Sequence, residues 1–131
     1  MADEERFVSI LGRSRLFKNV CCKTQILLQG YMRYVEVDCI AQKRRTLFVF
    51  EGSSASPDER VIDQLKLRYQ SLQSFKLSSV PGSGFEDYDY TRLFYYSFKR
   101  KVIIEYDKNG DMLQNFNFSD DAKLVTILQN L

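Results

Sequence analysis

Acid/base catalysis, nucleophilic attack and metal binding draw on a short list of side chains, and this sequence lacks a central one. Its 131 residues include no histidine, which removes the commonest general base and every Ser-His, Cys-His and zinc-histidine arrangement. Three cysteines are present, Cys21, Cys22 and Cys39. The first two are adjacent, and neighbours on a strand point to opposite faces, so they make a poor chelating pair. Structural zinc needs four good donors, which this spacing does not offer. The expectation is three buried free thiols, with no metal and no cofactor.

Carboxylates are the remaining candidates. Glu36 and Asp38 lie two apart and would share a strand face; Glu86, Asp87 and Asp89 cluster in a loop; Asp120 and Asp121 open a helix. Paired acids can move protons or hold Mg²⁺. Here no partner residue completes a site, and a solvated strand face, a soluble loop and a helix dipole account for the three groups. No P-loop is present, and Gly82-Ser83-Gly84 lacks the third glycine of a dinucleotide fingerprint and opens no helix. The chain is therefore expected to be a non-enzyme, with no catalytic residues.

Two surfaces invite binding instead. One is the acidic and aromatic run Phe85-Glu86-Asp87-Tyr88-Asp89-Tyr90, in which Phe85, Tyr88 and Tyr90 are candidate anchors for a protein partner. The other is basic: Lys43-Arg44-Arg45 in one turn and Lys99-Arg100-Lys101 in another, with Tyr31 and Tyr34 before the first and Tyr95, Tyr96 and Phe98 beside the second. Cations interleaved with aromatic rings suit RNA or single-stranded DNA, where bases stack on the rings and phosphates meet the charges. Charged turns also keep a sheet soluble, and the net charge of +2 is low for a dedicated nucleic-acid binder.

The elements that must position these groups follow from periodicity. Asp3 to Phe17 reads as a helix, with Phe7, Ile10, Leu11 and Ser14 on one face and Asp3, Glu4 and Glu5 at its positive end. Thr24 to Gln29, Arg33 to Ile40 and Thr46 to Phe50 read as strands, the second with Val35, Val37 and Cys39 on one face. Ser56-Pro57-Asp58-Glu59 is a helix-start signal: a capping serine, proline at the first position and glutamate three residues after the cap. Its helix should run to about Phe75 with Val61, Ile62, Leu65, Tyr69, Leu72 and Phe75 as the apolar stripe. Ser78 to Tyr90 reads as a loop, with Val80-Pro81-Gly82-Ser83-Gly84 as a break. Arg92 to Phe98, Lys101 to Tyr106 and Met112 to Phe118 are further strands. Asn109-Gly110 turns the last two into a hairpin, and Ser119-Asp120-Asp121 caps a final helix buried through Leu124, Ile127, Leu128 and Leu131.

The expected architecture is a single α+β domain over residues 1–131, in the order α-βββ-α-βββ-α. About five to six strands would form an antiparallel sheet in two groups, with helices packed on one face or at its ends. A hydrophobic content of 44% supports a real core, and 14% aromatic residues favour sheet faces. No apolar run reaches the roughly 18 residues of a membrane span, and the acidic, polar start carries no secretory signal. These features point to the cytoplasm or nucleus. The function they suit best is a protein-interaction module, an adaptor or small complex subunit binding a protein partner or a second copy of itself. Nucleic-acid binding through the basic turns is the alternative.

Overall fold

In the computed structural model, which describes residues 3–28, 33–74, 77 and 84–131, the chain runs α1 (Asp3–Ser14), β1 (Lys18–Leu28), β2 (Arg33–Lys43), β3 (Thr46–Gly52), α2 (Glu59–Ser74), β4 (Tyr90–Ser97), β5 (Val102–Tyr106), β6 (Met112–Asn117) and α3 (Asp121–Gln129). The order α-βββ-α-βββ-α is the one expected. The strands make one open sheet in the sequential order β1-β2-β3-β4-β5-β6. Every neighbouring pair is antiparallel except β3 and β4, which run parallel from Thr46↔Tyr90 to Gly52↔Tyr96. A parallel pair needs a crossover long enough to return the chain, and α2 supplies it.

That crossover separates the helices. Val61, Leu65 and Leu72 of α2 pack with Leu47, Val49, Leu93 and Tyr95 on one side of the sheet. Phe7, Ile10 and Leu11 of α1 join Leu124, Ile127 and Leu128 of α3 and Phe48, Phe50 and Phe94 on the other. The two cores thus lie on opposite faces, and β3 is buried from Leu47 through Glu51. The aromatic content expected of sheet faces lies chiefly in the second core, where Phe48 and Phe50 stack on Phe94 at 5.7 and 5.2 Å and Tyr96 stacks on Phe7 at 3.9 Å. Burial on both faces obscures the polar alternation of β2, and the face expected to be shared by Val37 and Cys39 is not kept. Val37 belongs to the first core and Cys39 to the second, so the strict period of two is broken between them.

Several boundaries differ from expectation for identifiable reasons. The first helix stops at Ser14 because Arg15 turns left-handed at φ 59°, and Phe17 packs edge-on to Phe48 at 5.0 Å. β1 starts six residues before Thr24, across an irregularity between Lys18 and Cys21 where Asn19 has φ 53°. The cap of α2 is Asp58, whose Oδ1 accepts from the Val61 backbone N–H at 3.1 Å, and the helix begins at Glu59. Aspartate caps as well as serine does, so the proline falls just before the cap. In the last hairpin only Gly110 has positive φ, at +88°, and Asp107 Oδ1 accepts from Asn109 and Asp111. The turn is longer than a two-residue one. Phe75 and Ser78 to Ser83 lie outside the described residues. Among the described residues, no helix is long and apolar enough to cross a membrane.

The cysteine expectation needs correction. Cys22 and Cys39 face each other across β1 and β2, Cα atoms 4.0 Å apart, and are joined as a disulfide, leaving Cys21 free. A pairing 17 residues apart in sequence depends on strand register, which cysteine spacing alone does not reveal. Cys21 and Cys22 do point apart, since Cys21 packs against the α2-side core and Cys22 against the other.

Candidate functional site

Of the three loop aromatics expected to anchor a partner, two are interior. Phe85 and Tyr88 are buried beside α2, and the Tyr88 hydroxyl donates to Leu72 O at 3.1 Å and accepts from Leu77 N at 3.2 Å. Burial raises the Tyr88 pKa above its ordinary value. These rings fasten their own loop to the domain. Tyr90, by contrast, is 68% exposed at the start of β4.

The basic turns are separated. Lys43-Arg44-Arg45 joins β2 to β3 and sits where β3 and β4 begin; Lys99-Arg100-Lys101 joins β4 to β5 and sits where they end. Six residue steps of β3 place the two turns roughly 20 Å apart at opposite ends of the sheet. Arg45 is also paired with Asp89, Nη2 to Oδ1 at 3.0 Å. Tyr95, Tyr96 and Phe98 are buried and present no face to a base. Tyr31 and the side chain of Tyr34 lie outside the described residues, as does the side chain of Glu36.

Asp38 finds a different acidic neighbour from the one its sequence suggests. It lies beside Glu51, near the end of β3, and its Oδ2 accepts from Gly52 N at 2.8 Å. Glu51 is 7% exposed and takes Arg68 Nε on Oε1 at 3.0 Å. Burial and then the charge of Asp38 push the Glu51 carboxyl up to about 8, against the smaller opposite pull of Arg68. That shift favours the protonated acid, placed between Asp38 and the Arg68 guanidinium. Two clefts meet here, outside the ends of the parallel strands: one of about 340 Å³ lined by Asp3, Glu4, Asp38, Ser53 and Tyr96, and one of about 260 Å³ lined by Asp38, Glu51, Arg60 and Arg68. Ligands of open α/β sheets bind outside the carboxyl ends of parallel strands. Each end-on acid is nonetheless engaged by a neighbour of its own fold.

The position at which sequence reading gave no signal is the sheet's free edge. β6 is the last strand, and its residues Met112-Leu113-Gln114-Asn115-Phe116-Asn117 include no charge and no proline. Met112 and Leu113 are each 59% exposed. Beside this edge a cleft of about 290 Å³ opens between β6 and α3, floored by Phe116 and Ile127 and rimmed by Gln114, Lys123 and Thr126. The uncharged run is visible in the sequence; that it ends the sheet depends on topology. No protein-family model matches the chain, and no curated protein or solved structure matches it either.

Proposed function

We propose that this chain is a non-enzymatic interaction module, a small subunit or adaptor of an intracellular complex, that takes an extended segment of a partner protein along β6. The observation that carries the proposal is the unguarded edge. Natural sheets protect their edge strands with lysine, proline, bulges or a covering element, because a row of unpaired backbone groups templates another strand. β6 has no charge and no proline within it; its ladder to β5 is irregular only between Met112 and Gln114, where Leu113 has no partner, and two large apolar side chains stand exposed at its start. An added strand would gain main-chain hydrogen bonds from the edge and selectivity from pockets for alternate side chains, here the Phe116–Ile127 cleft. Tyr90 lies at the same end of the sheet as Met112, since β5 returns antiparallel to β4 and β6 to β5, and would extend the contact.

The nucleic-acid alternative is less well supported, because its two cationic turns sit at opposite ends of the sheet and the rings beside the second are buried. The test is affinity purification from native cells, with nuclease treatment, of wild type and of a Leu113→Lys/Asn115→Lys variant. Both replaced side chains are exposed, so the circular dichroism spectrum and melting temperature should not change. Partners captured by wild type should be lost by the variant, and in the purified pair β6 amides should become protected from hydrogen exchange. Undiminished capture by the variant would overturn the proposal. Loss of every partner on nuclease treatment alone would overturn it in favour of nucleic acid.

A further inference from the structure

We propose that Cys22, Cys39 and Glu4 form a thiol-gated zinc site, in which the reduced protein holds one Zn²⁺ and the Cys22–Cys39 disulfide excludes it. The three ligand atoms, two Sγ and one carboxylate oxygen, all lie within 4.8 Å of one another. Tetrahedral zinc with bonds of about 2.3 Å to sulfur and about 2.0–2.2 Å to oxygen spaces its ligand atoms less than 4 Å apart, a separation that small side-chain rotations reach from here. Two thiolates with one carboxylate favour Zn²⁺ over Mg²⁺ or Ca²⁺, which prefer all-oxygen shells. Three protein ligands leave a fourth position for water.

The surroundings suit an ion that enters and leaves. Cys39 is fully buried while Cys22 and Glu4 are half-buried, so the trio bridges the interior and the surface. Glu4 also lines the 340 Å³ cleft together with Asp3 and Asp38, and carboxylates at such a mouth raise the local concentration of cations. Cys21 packs on the opposite face of the sheet and cannot join the set, which makes it an internal control.

The two states exchange by balanced chemistry. A dithiol reductant gives two electrons and two protons to the Cys22–Cys39 disulfide, becoming a disulfide itself and leaving two thiols. Zn²⁺ then displaces both thiol protons as it binds. In a reducing compartment the thiols prevail, and the ion would tie α1, β1 and β2 together where the disulfide otherwise links β1 to β2.

The test is titration of the full chain, reduced and freed of metal, with Co²⁺ and then Zn²⁺. Thiolate-to-cobalt charge-transfer absorption should appear with one equivalent and disappear on zinc addition. Oxidation to the disulfide should abolish binding, as should Cys22→Ser and Cys39→Ser, while Cys21→Ser should bind as wild type does. Glu4→Gln alters a half-buried helix residue outside both cores, so it reports even where the serine variants fail to fold; it should weaken zinc affinity by about tenfold or more. Absence of one-equivalent binding by the reduced wild type, loss of binding in Cys21→Ser, or affinity unmoved by Glu4→Gln would each overturn the assignment.

Discussion

Glu51 should make the protein lose stability as pH rises through neutrality, and Glu51→Gln should abolish that loss. The carboxyl is 7% exposed. Burial, followed by the charge of Asp38, lifts it from the ordinary 4.5 to about 8 despite Arg68. Below the lower value both folded and unfolded chains hold the proton, and no difference arises. Between the two values the folded chain keeps a proton that the unfolded chain has released. Stability must then fall with rising pH, by about 1.4 kcal/mol per unit while the difference is one full proton. From pH 5.5 to 7 this amounts to about 2 kcal/mol, a large share of the 5–15 kcal/mol typical of a domain. Glutamine keeps an acceptor for Arg68 and offers an amide donor to Asp38, with nothing to titrate. Urea denaturation of both proteins across this range, followed by circular dichroism, isolates the effect, because other groups cancel in the difference. The variant should gain on wild type steadily as pH rises. Parallel curves would refute the reasoning, since they would mean that Glu51 is ionised in the folded state and that Arg68 outweighs burial.

Arg92 is expected to be costly to remove. Its Nε and Nη2 donate to the two oxygens of Glu105 at 2.7 and 2.8 Å, and Glu105 is 5% exposed. Arg92→Ala should destabilise by about 3–5 kcal/mol by leaving a buried carboxylate without its charge partner; thermal melts should show most of this recovered in Arg92→Met/Glu105→Gln, and a single-variant loss below about 1 kcal/mol would count against the pair. Gly110→Ala meets two obstacles, φ of +88° and a Cβ only 2.7 Å from Ile62 Cγ2, and should cost about 2 kcal/mol or more by denaturant titration. Gly110→Ala should cost less in an Ile62→Ala background than in wild type, and a Gly110→Ala variant as stable as wild type would show that the turn relaxes freely.

The fold was legible wherever local chemistry and tertiary environment agree. The β5–β6 hairpin and the cap of α3 are examples: Asp120 accepts from Lys123 N at 2.8 Å, as an aspartate before an apolar stripe predicts. Where a signal was duplicated, the sequence was ambiguous. Ser56 and Asp58 both qualify as caps for α2, and the hydrogen bond to Val61 selects Asp58. Central strands were harder, because β2 is buried on both sides from Cys39 to Gln42, so its polarity does not alternate with a period of two. Relations between strands beyond that hairpin were not legible. The parallel β3–β4 pairing moved the two basic turns to opposite ends, and the β1–β2 register brought Cys22 onto Cys39 and left Cys21 facing away. The candidate site suffered in the same way: Phe85 and Tyr88 have the composition of a recognition loop, and whether they are presented or buried depends on α2 packing beside them.

The two edges of the sheet are managed differently, and this bears on where a partner could add. β1 is tied to β2 by the Cys22–Cys39 bond, and α1 packs against that side of the sheet through Phe7, Ile10 and Leu11. A covalent link between an edge strand and its neighbour limits the slippage and opening through which edges recruit other chains. β6 has no such tie and no charge among its own residues. Five strand spacings separate the two edges, roughly 24 Å, beyond the distance at which substitutions usually couple. Zinc or oxidation at Cys22 and Cys39 should therefore leave strand addition at β6 intact, and lysines at Leu113 and Asn115 should leave metal binding intact. Failure of one proposal would not carry the other with it.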